Sequence, residues 1–168
     1  MTSCDSHSLS DLLRQEAAFI QSGLALIAGS RSVENRPSSA LVLACRVSAD
    51  GQQLSLVIRP SQCPQFLLDV RETGMVAFAC TEVISHRSLQ IKGSDAKVVP
   101  VSAGDFGEIV AQTSAFVETV VSAEHLSDPM MRAYVHFDLH DLAVVTFTPS
   151  EVFNQTPGPV AGVQIPCH

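Results

Sequence analysis

Apolar positions along this chain change period several times, and each change marks an element. Behind Ser10, a residue able to cap a helix, Leu12, Leu13, Ala17 and Ile20 fall on one face of a predicted helix that Gly23 ends. The short run from Leu24 to Ser30 reads as a buried strand, and Asn35-Arg36-Pro37 marks a turn. Residues 39–47 and 54–58 are rich in Leu and Val, and Ala49-Asp50-Gly51 lies between them, which predicts a hairpin. Pro60-Ser61 breaks the second of these strands. A helix over 62–72 follows, with Phe66, Leu67 and Val70 inward, then Gly74 and a strand over 75–80. Residues 88–101 alternate around Leu89 and Ile91 as one strand, with Gly93 marking a bulge or bend. Helices are predicted over 103–122 and from Asp128-Pro129 to Tyr134, and a last strand over 142–148.

Strands joined by tight turns predict an antiparallel sheet curled into a small barrel, with helices outside it. A doubly wound parallel sheet is disfavoured, because only some of the strands have a helix between them. The expected organisation is a helical segment over 1–22, one barrel domain over 23–150 and an extended tail over 151–168. The tail assignment rests on the prolines and glycines that follow Asn154.

Composition narrows the possible partners. Ten Lys and Arg face seventeen Asp and Glu, and only Lys92 and Lys97 are lysines. A chain at −7 offers no basic stripe along which a nucleic-acid backbone would track. Charged residues are 16% of the chain and mean hydropathy is +0.24, too little polar surface for a comfortable monomer, so a subunit interface is expected. No apolar stretch is long enough to span a bilayer. The first residues lack a basic stretch followed by an apolar run, so they do not read as a secretory signal and the expected compartment is the cytoplasm. Five scattered cysteines without a C-x-x-C pair form neither a disulfide framework nor a zinc site.

The motifs of serine hydrolases, P-loops and dinucleotide folds are missing. His136 and His140 stand four apart, but on a segment that leads straight into a strand, so they read as loop or core histidines rather than metal ligands. The strand-to-helix junction Ile58-Arg59-Pro60-Ser61-Gln62-Cys63-Pro64 carries more information. Exposed N–H groups at a helix start suit an anion, with Ser61 as cap and Arg59 adding charge. The plain alternative is an ordinary strand end with a solvated arginine. Cys63 at the helix start is a candidate low-pKa thiol, or simply a small helix residue. Arg87, Gln90 and Lys92 share the polar face of a strand and can reach a planar ligand or only water.

In order and spacing these segments resemble the pyridoxamine 5'-phosphate oxidase-like, FMN-binding split-barrel superfamily. The resemblance runs over most of residues 9–101 and rests on Asn-Arg-Pro before the second strand, the Ala-Asp-Gly hairpin, Leu-Leu-Asp-Val-Arg-Glu-Thr-Gly-Met-Val-Ala-Phe, and His86-Arg-Ser-Leu-Gln-Ile-Lys-Gly93. It implies an α+β fold, an antiparallel split β-barrel with flanking helices, and a homodimer with FMN at the subunit interface. It also implies a flavin-dependent oxidoreductase acting on a small-molecule substrate or electron donor, or else a non-catalytic flavin- or haem-binding dimer. Carried over by position, Ser39, Ala40, Leu41 and Val42 flank the isoalloxazine ring. Arg59, Pro60, Ser61 and Gln62, with Gln65 at the helix start, hold the phosphate, and Arg87 and Ser88 face the ribityl chain or ring edge. Three usual contacts depart from the family pattern. Pro64, Gln65 and Phe66 stand in the place of Ser-Arg-Lys, Ala40 in that of the strand-two Arg, and Ser88 in that of the strand-five Gln. Arg36, Arg59 and Arg87 are the expected substitutes. The absence of arginine after Arg132 argues against vitamin B6 oxidation itself.

Overall fold

The structure is a computed structural model that describes residues 6–102 and 104–166. Helix α1 (Ser6–Ile20) leads into strands β1 (Ala25–Arg31), β2 (Pro37–Val47) and β3 (Leu54–Ile58). A 3-10 turn (Pro60–Gln62) precedes α2 (Pro64–Thr73), which is followed by β4 (Val76–Thr81), β5 (Ser88–Gly93) and β6 (Lys97–Pro100). Helices α3 (Asp105–Glu124) and α4 (Asp128–Tyr134) precede β7 (Ala143–Phe147), β8 (Glu151–Asn154) and β9 (Val163–Gln164). The strands form one antiparallel sheet ordered β6-β7-β3-β2-β1-β4-β5-β8-β9, an α+β split barrel.

Strand β2 joins the two halves. Its first half pairs with β1, from Arg31↔Pro37 to Ile27↔Leu41, and its second half with β3, from Val42↔Ile58 to Val47↔Leu54. A register shift between Val42 and Ala44 marks a bulge, which turns Leu43 and Ala44 onto one packed surface with Val57, Val144 and Ile109 of α3. Past Leu41 the chain of β1 bends away at Gly23, and two glutamine side chains take over the ladder. Gln112 of α3 accepts the Cys45 N–H at 3.0 Å and donates to the Cys45 carbonyl at 2.7 Å, while Gln21 accepts the Val47 N–H at 2.8 Å.

Inside the barrel, Leu13 and Ile20 of α1 and Phe66 and Val70 of α2 pack with Leu54, Leu56, Ile58, Phe78, Ile91 and Phe147. Strands β3 and β7 are covered on both faces, which is why their sequences are continuous apolar runs. Strands β4 and β5 alternate, because one of their faces is open.

Local expectations are corrected in four places. Ser10 is inside α1 rather than at its start, under the Gly51 turn. The helix predicted over 62–72 is a 3-10 turn followed by α2, with Cys63 in the cap position and no side-chain cap. The single strand predicted over 88–101 is two strands on opposite halves of the sheet. At Gly93, between them, a Cβ would lie 2.4 Å from Phe147 Cδ2 and 2.8 Å from the Thr148 carbonyl, so only glycine lets the chains cross. Part of the segment expected as an extended tail pairs with the sheet as β8 and β9.

Candidate functional site

The open face of the β2-β1-β4-β5-β8 half is built row by row from the strand registers. One row reads Leu41, Ile27, Ala79, Gln90 and Phe153; the next reads Ser39, Gly29, Ala77, Lys92 and Glu151. At a strand spacing of about 4.8 Å, β2 to β5 give a floor about 14 Å wide. Small residues keep its centre low, and Ile27 leaves 52% of its surface exposed. Where this floor meets α3 and α4, a pocket of about 280 Å³ is lined by Leu24, Leu41, Leu43, Phe116 and Tyr134 among others.

Of the four residues expected beside a flavin ring, Ser39 and Leu41 lie on this open face. Ala40 and Val42 point into the core, each with 4% exposure, so their side chains meet no ligand there. Period-two alternation dictates this split.

The Arg59–Gln62 turn departs further from the expectation. Arg59 is buried, and its guanidinium donates to the carbonyls of His136 (2.6 Å) and Tyr134 (3.2 Å) at the C-terminal end of α4; its Nε is buried without a partner among the described residues. Ser61 caps no helix. Its N–H donates to Asp141 Oδ1 at 2.9 Å and its hydroxyl to Asp141 Oδ2. The N–H groups of Gln62 and Cys63 close onto Arg59 and Pro60 carbonyls, and Pro60 and Pro64 have none. Gln65 donates to the buried carboxylate of Asp69 at 2.8 Å, which also accepts the Ser38 hydroxyl. The turn thus presents a carboxylate where an anion was expected to bind, and it does not fit a flavin phosphate.

Arg87 lies away from that turn, against α1, with its guanidinium 3.9 Å from the Phe19 ring centroid and 2.6 Å from Glu16. Ser88 is buried, its Oγ 2.9 Å from both Thr81 Oγ1 and the His86 carbonyl. Arg36 pairs with Glu34 at 3.2 Å. The three expected substitutes do not converge. Burial pushes the Cys63 thiol up to about 11, so it is no activated nucleophile, and burial likewise raises Cys80 to about 12 and Cys45 well above its usual value. Among the described residues no group of three His, Cys, Asp or Glu converges on a metal position. No helix among them is long and apolar enough to cross a membrane.

Sequence reasoning missed Ala77 and Ala79 as floor residues and Asp141 as the occupant of the turn. Small residues alternating with Val76, Phe78 and Cys80 were a usable signal for the first two. Asp141 lies 80 residues from Ser61, and nothing local announces it.

No protein-family model and no curated protein matches the chain. Among solved structures it is similar to HupZ from Group A Streptococcus, at 13% identity and TM-score 0.51 over 88% of this chain and 98% of that one. It is also similar to an F420 reductase, at 12% identity and TM-score 0.51 over 80% and 93%. A protein related to general stress protein 26 (pyridoxinephosphate oxidase family) from Clostridium acetobutylicum aligns at 12% identity and TM-score 0.49 over 94% and 95%. The chain shares the fold of the first two of these structures, an antiparallel split barrel flanked by helices. At such identities the likeness is one of fold. Within this split barrel, the open floor and the closed Arg59–Gln62 turn are features of the chain's own residues.

Proposed function

We propose that the protein is a homodimeric flavin-binding oxidoreductase of small molecules, with the open face of the β2-β1-β4-β5-β8 half as the floor for the cofactor ring. One observation carries the reading: a floor of Leu41, Ile27, Ala79 and Gln90, apolar and flat enough for a planar tricycle, with the Gln90 amide at its edge. An exposed apolar sheet face of this kind also calls for a cover, and a second copy supplies one. The fold is shared with an F420 reductase, which agrees with redox chemistry on this scaffold. Redox chemistry would belong to the cofactor, and this chain's part is to bind, orient and shield it.

A second reading, the same face holding flavin or haem without turnover, is favoured by the closure of the Arg59–Gln62 turn on Asp141. The absorption spectrum of the purified protein, with mass analysis of what heat releases, separates the readings. Flavin bands, followed by reduction of the bound flavin by a donor at a catalytic rate, are the expected result. Flavin without turnover selects the carrier reading, and a Soret band selects haem. A colourless protein that ignores added FMN and riboflavin removes both.

A further inference from the structure

The cations of this chain are unevenly committed. Arg14, Arg36, Arg46, Arg87 and Arg132 each hold a carboxylate in an ion pair, and Arg59 holds two carbonyls at the C-terminal end of α4. Among the described residues Arg31, Arg71, Lys92 and Lys97 form no ion pair, and two of these four, Arg31 and Lys92, line the same cavity. That cavity, about 530 Å³, opens at the end of the floor between β1, β2, β4 and β5. Its walls are otherwise mostly apolar or small, with Gly29, Met75, Val76 and Ala77, and Ser94 adds a hydroxyl.

The cavity continues the floor. Lys92 is in register with Ala77, one row, about 7 Å, beyond the Leu41–Ile27–Ala79–Gln90 row, and Arg31 ends the same face of β1. Lys92 is held with its Nζ 4.3 Å from the Phe153 ring centroid, and Arg31 donates to Asn35 at 2.8 Å. Glu151, opposite Lys92 on β8, is the carboxylate that also lines the space, yet it forms no ion pair with either cation. Cations without a carboxylate partner beside an apolar floor attract an anion attached to an apolar body.

We propose that the Arg31–Lys92 cavity receives the anionic end of the ligand, a phosphate or carboxylate, in place of the β3–α2 turn that Asp141 occupies. This rests on the floor reading for the ligand's ring and adds where its charge goes. For FMN, the ring would lie over the Ile27–Ala79 row and the phosphate one row further on.

Flavin fluorescence titrations with FMN and riboflavin test it on the wild type, Lys92→Gln, Arg31→Gln, Lys92→Arg and Asp141→Asn. The wild type is expected to prefer FMN over riboflavin by about tenfold or more, the usual effect of one charge-assisted hydrogen bond. Lys92→Gln and Arg31→Gln should each remove most of that preference without changing riboflavin affinity, Lys92→Arg should restore it, and Asp141→Asn should leave it alone. Equal affinity for the two flavins in the wild type, or a preference that Asp141→Asn alters and Lys92→Gln does not, overturns the proposal. If neither flavin binds, the floor reading fails, and inorganic phosphate then decides the cavity by itself. A phosphate-dependent rise in melting temperature that Lys92→Gln abolishes supports it, and no rise, or one that Lys92→Gln leaves intact, overturns it.

Discussion

Gln112 shows how much one side chain can settle. Its amide supplies the donor and the acceptor that β1 fails to give Cys45, both residues being buried. Gln112→Ala leaves a buried N–H and a buried C=O unpaired, which costs about 2–3 kcal/mol, read as a lower urea midpoint at unchanged m-value. Asp141 acts at the same scale with a chemical consequence. Its carboxylate accepts both donors of Ser61, so the turn is satisfied internally and a second anion there would meet like charge. The residue types at this turn suggested an anion site, and the anion turned out to belong to the chain.

At the scale of elements, α3 is fastened at its start by a small ionic cluster. Asp105 accepts the Ser102 N–H at 2.7 Å and the Ser102 hydroxyl at 2.8 Å, and pairs with Arg46 of β2 at 2.9 Å. Burial pushes the Asp105 carboxyl up, but the two Ser102 bonds and the Arg46 charge outweigh it and hold the carboxyl below its usual value. A carboxyl depressed in the folded state stabilises the protein above its unfolded pKa of about 3.9, and that contribution fades as pH falls through the lower folded value. The stability gap between the wild type and Asp105→Asn is therefore expected to be constant above about pH 5 and to shrink on further acidification. Denaturant titrations at several pH values check it, and a gap that widens in acid would contradict the assignment. The same scale explains why β5 and β6 were read as one strand. Only three residues separate them, and the chain changes sheet half at Gly93, which has no side chain to strike Phe147.

For the whole molecule, the divided sheet leaves one half covered by α3 and α4 and the other half with an open floor. If that floor is the contact between copies, the protein should run at about 36 kDa, twice its 17.9 kDa chain mass, in light scattering. Ile27→Arg puts a charge at the middle of the floor, on a side chain already half exposed in the single chain. It should give a folded particle of 17.9 kDa with unchanged secondary structure. A variant that keeps the dimeric mass would place the interface elsewhere.

Much of this architecture was legible in the sequence because it depends on near neighbours along the chain. The Asp50-Gly51 hairpin, the alternation of β4 and the apolar runs of β3 and β7 follow from local sterics and from which faces are buried. Only the tertiary structure decided which polar groups meet. Arg59 finds carbonyls 75 and 77 residues away, Arg87 a glutamate 71 residues away, and Ser61 a carboxylate 80 residues away. Such pairings have no period and leave no trace in local composition. They are fixed when packing of the apolar faces brings distant segments together, and where a polar group such as the Arg59 guanidinium is buried, its burial obliges it to take a partner there.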